Sequence, residues 1–210
     1  MKTRVFSLHD IGENMNKHSL AMIIRYISVA PVIAFFLLTL LFAVKPTIIG
    51  GWTVYIVNVI FLTVLPLSAY PLQPLFPHFR HKGREGQRDL AMLMAVIGYV
   101  GAAIASIAAK APFTALAVSL TYLISGLLIT IFNKLFNIRA SGHACGVSGP
   151  IATAALFLGP WYLLGFFLLP AVYWASLYIK RHDWPQLLWG TVIPWIALAI
   201  SYFLAELICY

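Results

Sequence analysis

The chain has 210 residues, 61% of them hydrophobic and 10% charged, with a formal net charge of +8. A soluble domain carries about 25% charged residues, so this composition excludes a water-covered globule and makes lipid the solvent. The basic excess falls in short runs between apolar stretches, which suits anionic headgroups or phosphate and makes nucleic acid an unexpected partner.

A span needs about 20 mostly apolar residues, and the chain reads as a polar segment, 1–18, followed by a single transmembrane domain, 19–210. The first apolar run begins near Leu20 and is too long for a signal-peptide core, so it is read as a retained span from Ser19 to Val44. Arg25 lies near its start, where it can snorkel to the headgroups, and Pro31 is expected to kink it. A second span covers Trp52 to Leu72 and is closed by Pro66, Pro71, Pro74 and Pro77. The most polar stretch follows, 78–89, with His78, Arg80, His81, Lys82, Arg84 and Arg88, and is expected to be a loop. The third span, Leu90 to Ala109, is rich in Gly and Ala, as close helix packing prefers.

A tight turn at Lys110-Ala-Pro112 leads into a fourth span ending near Asn133, and the linker Lys134–Ala140 brings the chain to Ser141-Gly142-His143. The stretch from His143 to His182 would be about 58 Å long as one helix, too long for one crossing. Gly159-Pro160 breaks it into a short fifth span, about 142–158, and a sixth, about 161–179. A seventh runs from Pro185 to Leu207. The fold class expected is therefore all-α, a polytopic transmembrane bundle of seven spans, or six if the first is re-entrant or interfacial.

This layout puts twelve of the 14 Lys and Arg residues on the side of the N-terminus and leaves only Lys45 and Lys110 on the other. The positive-inside rule makes the crowded side cytoplasmic. Segments 78–89, 134–143 and 180–186 share that face, each at a helix end. Ser141 can cap the fifth helix, Gly142 lets backbone approach a ligand closely, and free N–H groups at a helix start favour an anion. Two histidines among several Arg and Lys suit phosphoryl transfer without a metal. Guanidinium groups hold the equatorial oxygens, one imidazole attacks phosphorus, and the other protonates the leaving alkoxide.

Arg139-Ala-Ser-Gly-His-Ala-Cys-Gly-Val-Ser-Gly-Pro150 and Arg181-His-Asp-Trp-Pro-Gln-Leu-Leu-Trp-Gly190 resemble the second and third motifs of the type-2 phosphatidic acid phosphatase superfamily. The order of the motifs and the two crossings between them match as well, and the likeness covers roughly residues 78–190. The resemblance implies a phosphatidic acid phosphatase-like helical core, His182 as the nucleophile that forms a phosphohistidine, and His143 as general acid. It implies no cofactor and no metal, and a lipid phosphate or polyprenyl phosphate as substrate. The first motif has a loose counterpart in Lys82 and Arg88, with Asp89 in place of the proline. In the third motif Ser176 occupies the position of the phosphate-binding arginine, and Gln186 that of the aspartate that orients the nucleophile. Phosphate binding is therefore expected from Lys82, Arg88, Arg139, Ser141, Gly142 and Arg181, with Gln186 orienting His182.

Two other readings stand beside this one. Gly146-Val-Ser148-Gly149 resembles the Gly-x-Ser-Gly motif of rhomboid-type intramembrane proteases, with His182 as the partner base. The substitutions at Ser176 and Gln186 fit a catalytically degenerate membrane protein that binds lipid phosphate, or a transporter or scaffold. Cys145 and Cys209 form no disulfide framework and no metal-ligand spacing. Asn58, inside an apolar run, is read as a helix–helix hydrogen bond, and the Trp and Tyr residues near span ends as an interfacial belt.

Overall fold

The computed structural model describes the backbone of residues 8–209 and the side chains of residues 16–209. Among the described residues the chain is helical, with turns and no strand. Helix α1 (Leu8–Ile27) begins well inside the segment expected to be a polar tail and stops at Ser28. Helix α2 (Ala30–Val44) starts afresh with Pro31 in its first turn, where a missing N–H costs nothing. The two are bent by 54° across the break, so the first apolar run is a broken pair and not one kinked rod.

A single turn, Pro46–Ile49, and Gly50 at φ 90° reverse the chain into α3 (Gly51–Leu75). The π geometry at Ile60–Val64 lies just before Pro66, and a widened turn is one way a helix absorbs a proline. The α-helical part ends at Leu72, where the prolines were expected to close it, and a 3-10 turn with Pro74, Gln73–Leu75, finishes the rod. The stretch 78–89 also differs from the loop expected of it. Pro77–Arg80 forms a helical turn, and α4 (Gly83–Ala108) carries Arg84 and Arg88 in its first turns. Arg, Glu and Gln propagate a helix well even where the apolar pattern has stopped.

Helix α5 (Phe113–Leu135), α6 (Gly142–Leu158), α7 (Pro160–Tyr178) and α8 (Trp184–Cys209) complete the chain. Five of these helices, α3, α4, α5, α7 and α8, are long and apolar enough to cross a membrane, and the bent α1–α2 pair makes a sixth. The multi-pass character expected from composition is thus matched, at five to six crossings by length. The expected fifth crossing, α6, has only 17 residues. At 1.5 Å per residue it is about 26 Å long, less than the ~30 Å hydrocarbon core.

Helix α6, bounded by the Ser141 cap and the Gly159-Pro160 break, is the centre of the bundle. Its residues from Ala144 to Ala154 are buried on every face, and α2, α5, α7 and α8 all pack on it. Small residues let backbones approach closely where no aqueous hydrophobic effect drives association. A Cβ added at Gly146 would lie 2.8 Å from the Ala30 Cα of α2. On the flank, α3 packs against α4 and α4 against α5. Asn58 ties α3 to α5: its Nδ2 donates to Val54 O of its own helix at 3.0 Å, and its Oδ1 accepts from Ser119 Oγ of α5 at 2.8 Å. Ser106 and Ser119 share a further hydroxyl contact of 2.9 Å. Asn58 is thus the helix–helix bond expected of it.

Candidate functional site

The start of α6 and the start of α8 are stitched together. Ser141 is fully buried, and its Oγ accepts from Ala144 N at 3.4 Å as the expected N-cap of α6. Its own N–H donates to the Gln186 carbonyl of α8 at 2.9 Å, while Asn133 Oδ1 receives the Ala140 N–H at 2.9 Å. The corner sits so close to α8 that a Cβ on Gly190 would collide with the Ser141 carbonyl. Segments 139–143 and 182–186 therefore meet, although the two histidines are 39 positions apart in the chain.

The approach to His182 is set by the end of α7. Arg181 N–H reaches back to Ser176 O, and Lys180 N–H to Leu177 O, each at 3.0 Å. This pair of bonds is a Schellman cap, with Lys180 at φ 53° in the left-handed position that glycine usually fills. Asp183 then caps α8, accepting the Gln186 N–H on Oδ1 at 3.0 Å. The Gln186 side-chain amide donates to Asp183 Oδ2 at 3.3 Å, and its Oε1 meets His182 Nδ1 at 2.8 Å.

This chain of contacts favours one arrangement of protons. A carboxylate only accepts, so Gln186 must turn its NH2 to Asp183 and its oxygen to the ring. The amide oxygen also only accepts, so His182 Nδ1 carries the hydrogen and the neutral ring keeps its lone pair on Nε2. The Asp183 carboxylate thus reaches His182 through one amide. Burial pushes the His182 pKa below its usual 6.5; Gln186 opposes that push, and the nearby Arg25 charge adds to it. The Arg139 backbone carbonyl lies against the same imidazole and favours its protonated form. The net direction is downward, towards a neutral ring at neutral pH.

His143, in the first turn of α6, is held by the α1–α2 break. Arg25 Nη2 lies 3.2 Å from His143 Nε2. On the other side, His143 Nδ1 faces Ser28 Oγ at 3.3 Å and Ser28 O at 3.4 Å. A guanidinium can only donate, so Nε2 accepts and Nδ1–H points to Ser28. Arg25 Nη1 is sealed from solvent and has no hydrogen-bond partner. Arg88 of α4 and Arg181 are close enough for their charges to act on Arg25, and Arg25 acts in turn on His182. Among the described residues no carboxylate pairs with Arg25.

Of the remaining expected residues, Gly142 is exposed, and a Cβ there would face open space. Arg139 and Arg181 have exposed side chains on the same corner. Lys82 is turned to Asp89 at 3.9 Å, both well exposed, and no contact joins it to the histidines. Ser176 is fully buried, and its hydroxyl has no partner. Ser148 is also fully buried. Its hydroxyl donates to Thr191 O at 2.8 Å and receives Trp195 Nε1 at 3.1 Å, with no histidine in the arrangement. No group of three or more His, Cys, Asp or Glu among the described residues could hold a metal ion.

Arg25 is the member that sequence reasoning missed; its position in an apolar run was read as snorkelling. The signal that could have flagged it is a charge inside a span, which needs a partner. A cavity of about 120 Å³ begins beside Gly142 and runs between α5 and α6 to Tyr122 and Thr153, with almost wholly apolar walls. Compared with known proteins, the chain matches no protein-family model, no curated protein and no solved structure.

Proposed function

We propose that this chain is a membrane phosphatase that hydrolyses a lipid phosphate or an isoprenyl (di)phosphate through a phosphohistidine, on a phosphatidic acid phosphatase-like helical core. The observation that carries the reading is the Asp183–Gln186–His182 relay beside His143, set among arginines that pair with no carboxylate among the described residues. His182 Nε2 attacks phosphorus, the bond to the lipid oxygen breaks, and His143 in its protonated form gives that oxygen its proton. Water then attacks the phosphohistidine, with His143 taking the proton. The positive charge of Arg25, Arg88 and Arg181 stabilises the charge that builds on the equatorial oxygens. The same charge would repel a divalent cation, which supports a metal-independent route. The apolar cavity beside Gly142 supports a substrate with a hydrocarbon chain, and the excess of Lys and Arg on the site-bearing face supports a cytoplasmic position for it.

Phosphate release from a panel of lipid phosphates, by the purified protein in detergent with EDTA, tests this. Release should persist in chelator and fall by about 10²-fold or more in both His182→Ala and His143→Ala. Release that needs a metal, or that survives both substitutions, would sink the reading.

A second reading has its own observation. Ser176, at the position of the family's phosphate-binding arginine, is sealed inside the bundle, which favours a protein that binds lipid phosphate without turning it over. Phosphate binding without release, in folded protein, would select it. The protease reading has lost ground, because the Ser148 hydroxyl is engaged by Thr191 and Trp195.

A further inference from the structure

Arg25 presents an electrostatic problem that the protein alone does not solve. Its guanidinium lies on the bundle side of α1, with Nη2 on a histidine and Nη1 sealed and unpartnered. The charged side chains that act on it are Arg88 and Arg181, so its neighbours repel it. A charge partly withdrawn from water is stabilised by a counter-charge or by several hydrogen bonds, and among the described residues it has one side-chain bond and no counter-charge. The partner that such a guanidinium suits has the chemistry of an oxyanion: negative, with oxygens able to take both terminal nitrogens of a planar fork.

Its place in the fold says which oxyanion. Arg25 touches His143 directly and acts on His182, so an anion bound to it lies at the two imidazoles. Helix α1 packs on the second half of α7, the stretch whose Ser176 stands where an arginine was expected and has a buried, unpartnered hydroxyl. The motif position on α7 is closed, and α1 brings a guanidinium to the same corner from outside it.

We propose that Arg25, carried by α1, is the principal phosphate ligand of this site and takes the role left open by Ser176. This rests on the reading of the site as one for a phosphate. It also gives the Arg25–His143 contact a meaning. While Arg25 donates to His143 Nε2, that nitrogen cannot carry the proton that a leaving oxygen requires. An incoming phosphate draws the guanidinium onto its own oxygens and frees Nε2 to be protonated. Arg25 thus holds the empty site in a form unable to donate, and substrate itself releases it.

The test is titration of the full-length protein in detergent with inorganic phosphate, followed by ³¹P NMR or calorimetry, beside turnover of the lipid phosphate panel. Arg25→Ala should weaken phosphate binding by at least ~10-fold, since a hydrogen bond to a charged group contributes about 1.5–3 kcal/mol. Arg25→Lys should recover only part of this, because it keeps the charge and loses the fork. Arg84→Ala, an exposed basic side chain at the start of α4, controls for general charge and should change binding less than ~2-fold. Millimolar free guanidinium should restore binding to Arg25→Ala, which a purely structural role for Arg25 would not allow.

Phosphate binding unchanged in Arg25→Ala, or lost equally in Arg84→Ala, overturns the proposal even if hydrolysis stands. Binding that depends on Arg25 without any turnover upholds it and removes the phosphatase reading. Absence of phosphate binding by the unaltered protein overturns both. Should Arg25→Ala not fold, the Arg25→Lys comparison decides by the same criterion.

Discussion

Gln186 holds the His182 imidazole through an uncharged amide oxygen, and the charge behind it belongs to Asp183, one hydrogen bond further away. The arrangement orients the ring while keeping the full carboxylate off it, and burial then holds the ring neutral. Neutral imidazole is the nucleophile, so on the acid side activity is lost only as pH falls through the folded pKa of His182. That pKa is displaced below the usual 6.5. The acid limb of the kcat/KM profile, which reports the free protein, is therefore expected below pH 6.5. The isosteric change Gln186→Glu puts an ionised carboxylate directly on Nδ1. It favours imidazolium, raises the pKa and moves the acid limb upward. A limb that stays in place, or moves down, would show that Gln186 is not the partner that sets this titration.

At the scale of elements, the site depends on how closely α8 passes beneath the corner that starts α6. Gly190→Ala adds a Cβ where the Ser141 carbonyl already lies. Backbone must then move, at a cost of about 1–3 kcal/mol. The movement separates the segment carrying His143 from the one carrying His182, so turnover should fall further than the drop in thermal stability accounts for. Gly142→Ala, whose Cβ would meet nothing, should leave the melting temperature nearly unchanged. Equal melting temperatures for the two variants would refute the close-packing account.

The elements also show which parts of the fold a sequence can carry. The histidines could be paired in advance because each opens a helix, and helix length alone forbids one crossing between them. Gln186 was legible as the residue that orients His182, although only geometry shows Asp183 capping α8 and holding the Gln186 amide. The start of α4 was not legible from hydropathy, because the apolar run stops at Leu90 while the helix begins at Gly83. Arg25 was hidden for a different reason. The period of an apolar run says which residues share a face, and it does not say which helix covers that face. That α1 breaks at Ser28 and leans on α7 is a tertiary fact, and the role of Arg25 follows from it.

For the whole molecule, the open question is which side of the membrane the basic corner faces, and the chain carries its own reporters. Helix α8 leaves the site at Trp184 and ends at Cys209 after 26 residues. At 1.5 Å per residue this is about 39 Å, enough to pass through a ~30 Å hydrocarbon core. A crossing by α8 puts the exposed Cys209 on the face opposite the histidines, whereas Cys145 is buried. If the basic corner is cytoplasmic, a membrane-impermeant maleimide added to intact cells should label Cys209 and leave Cys145 untouched. In a Cys209→Ser background, Arg84→Cys places a thiol on the exposed start of α4, and it should react only after the membrane is permeabilised. The reverse pattern would put phosphate release outside the cytoplasm. The clustering of twelve basic residues would then reflect the anion site, and the positive-inside rule would have been misled by it. Labelling of both positions in intact cells would contradict the crossing of α8 and with it the membrane layout of the whole bundle.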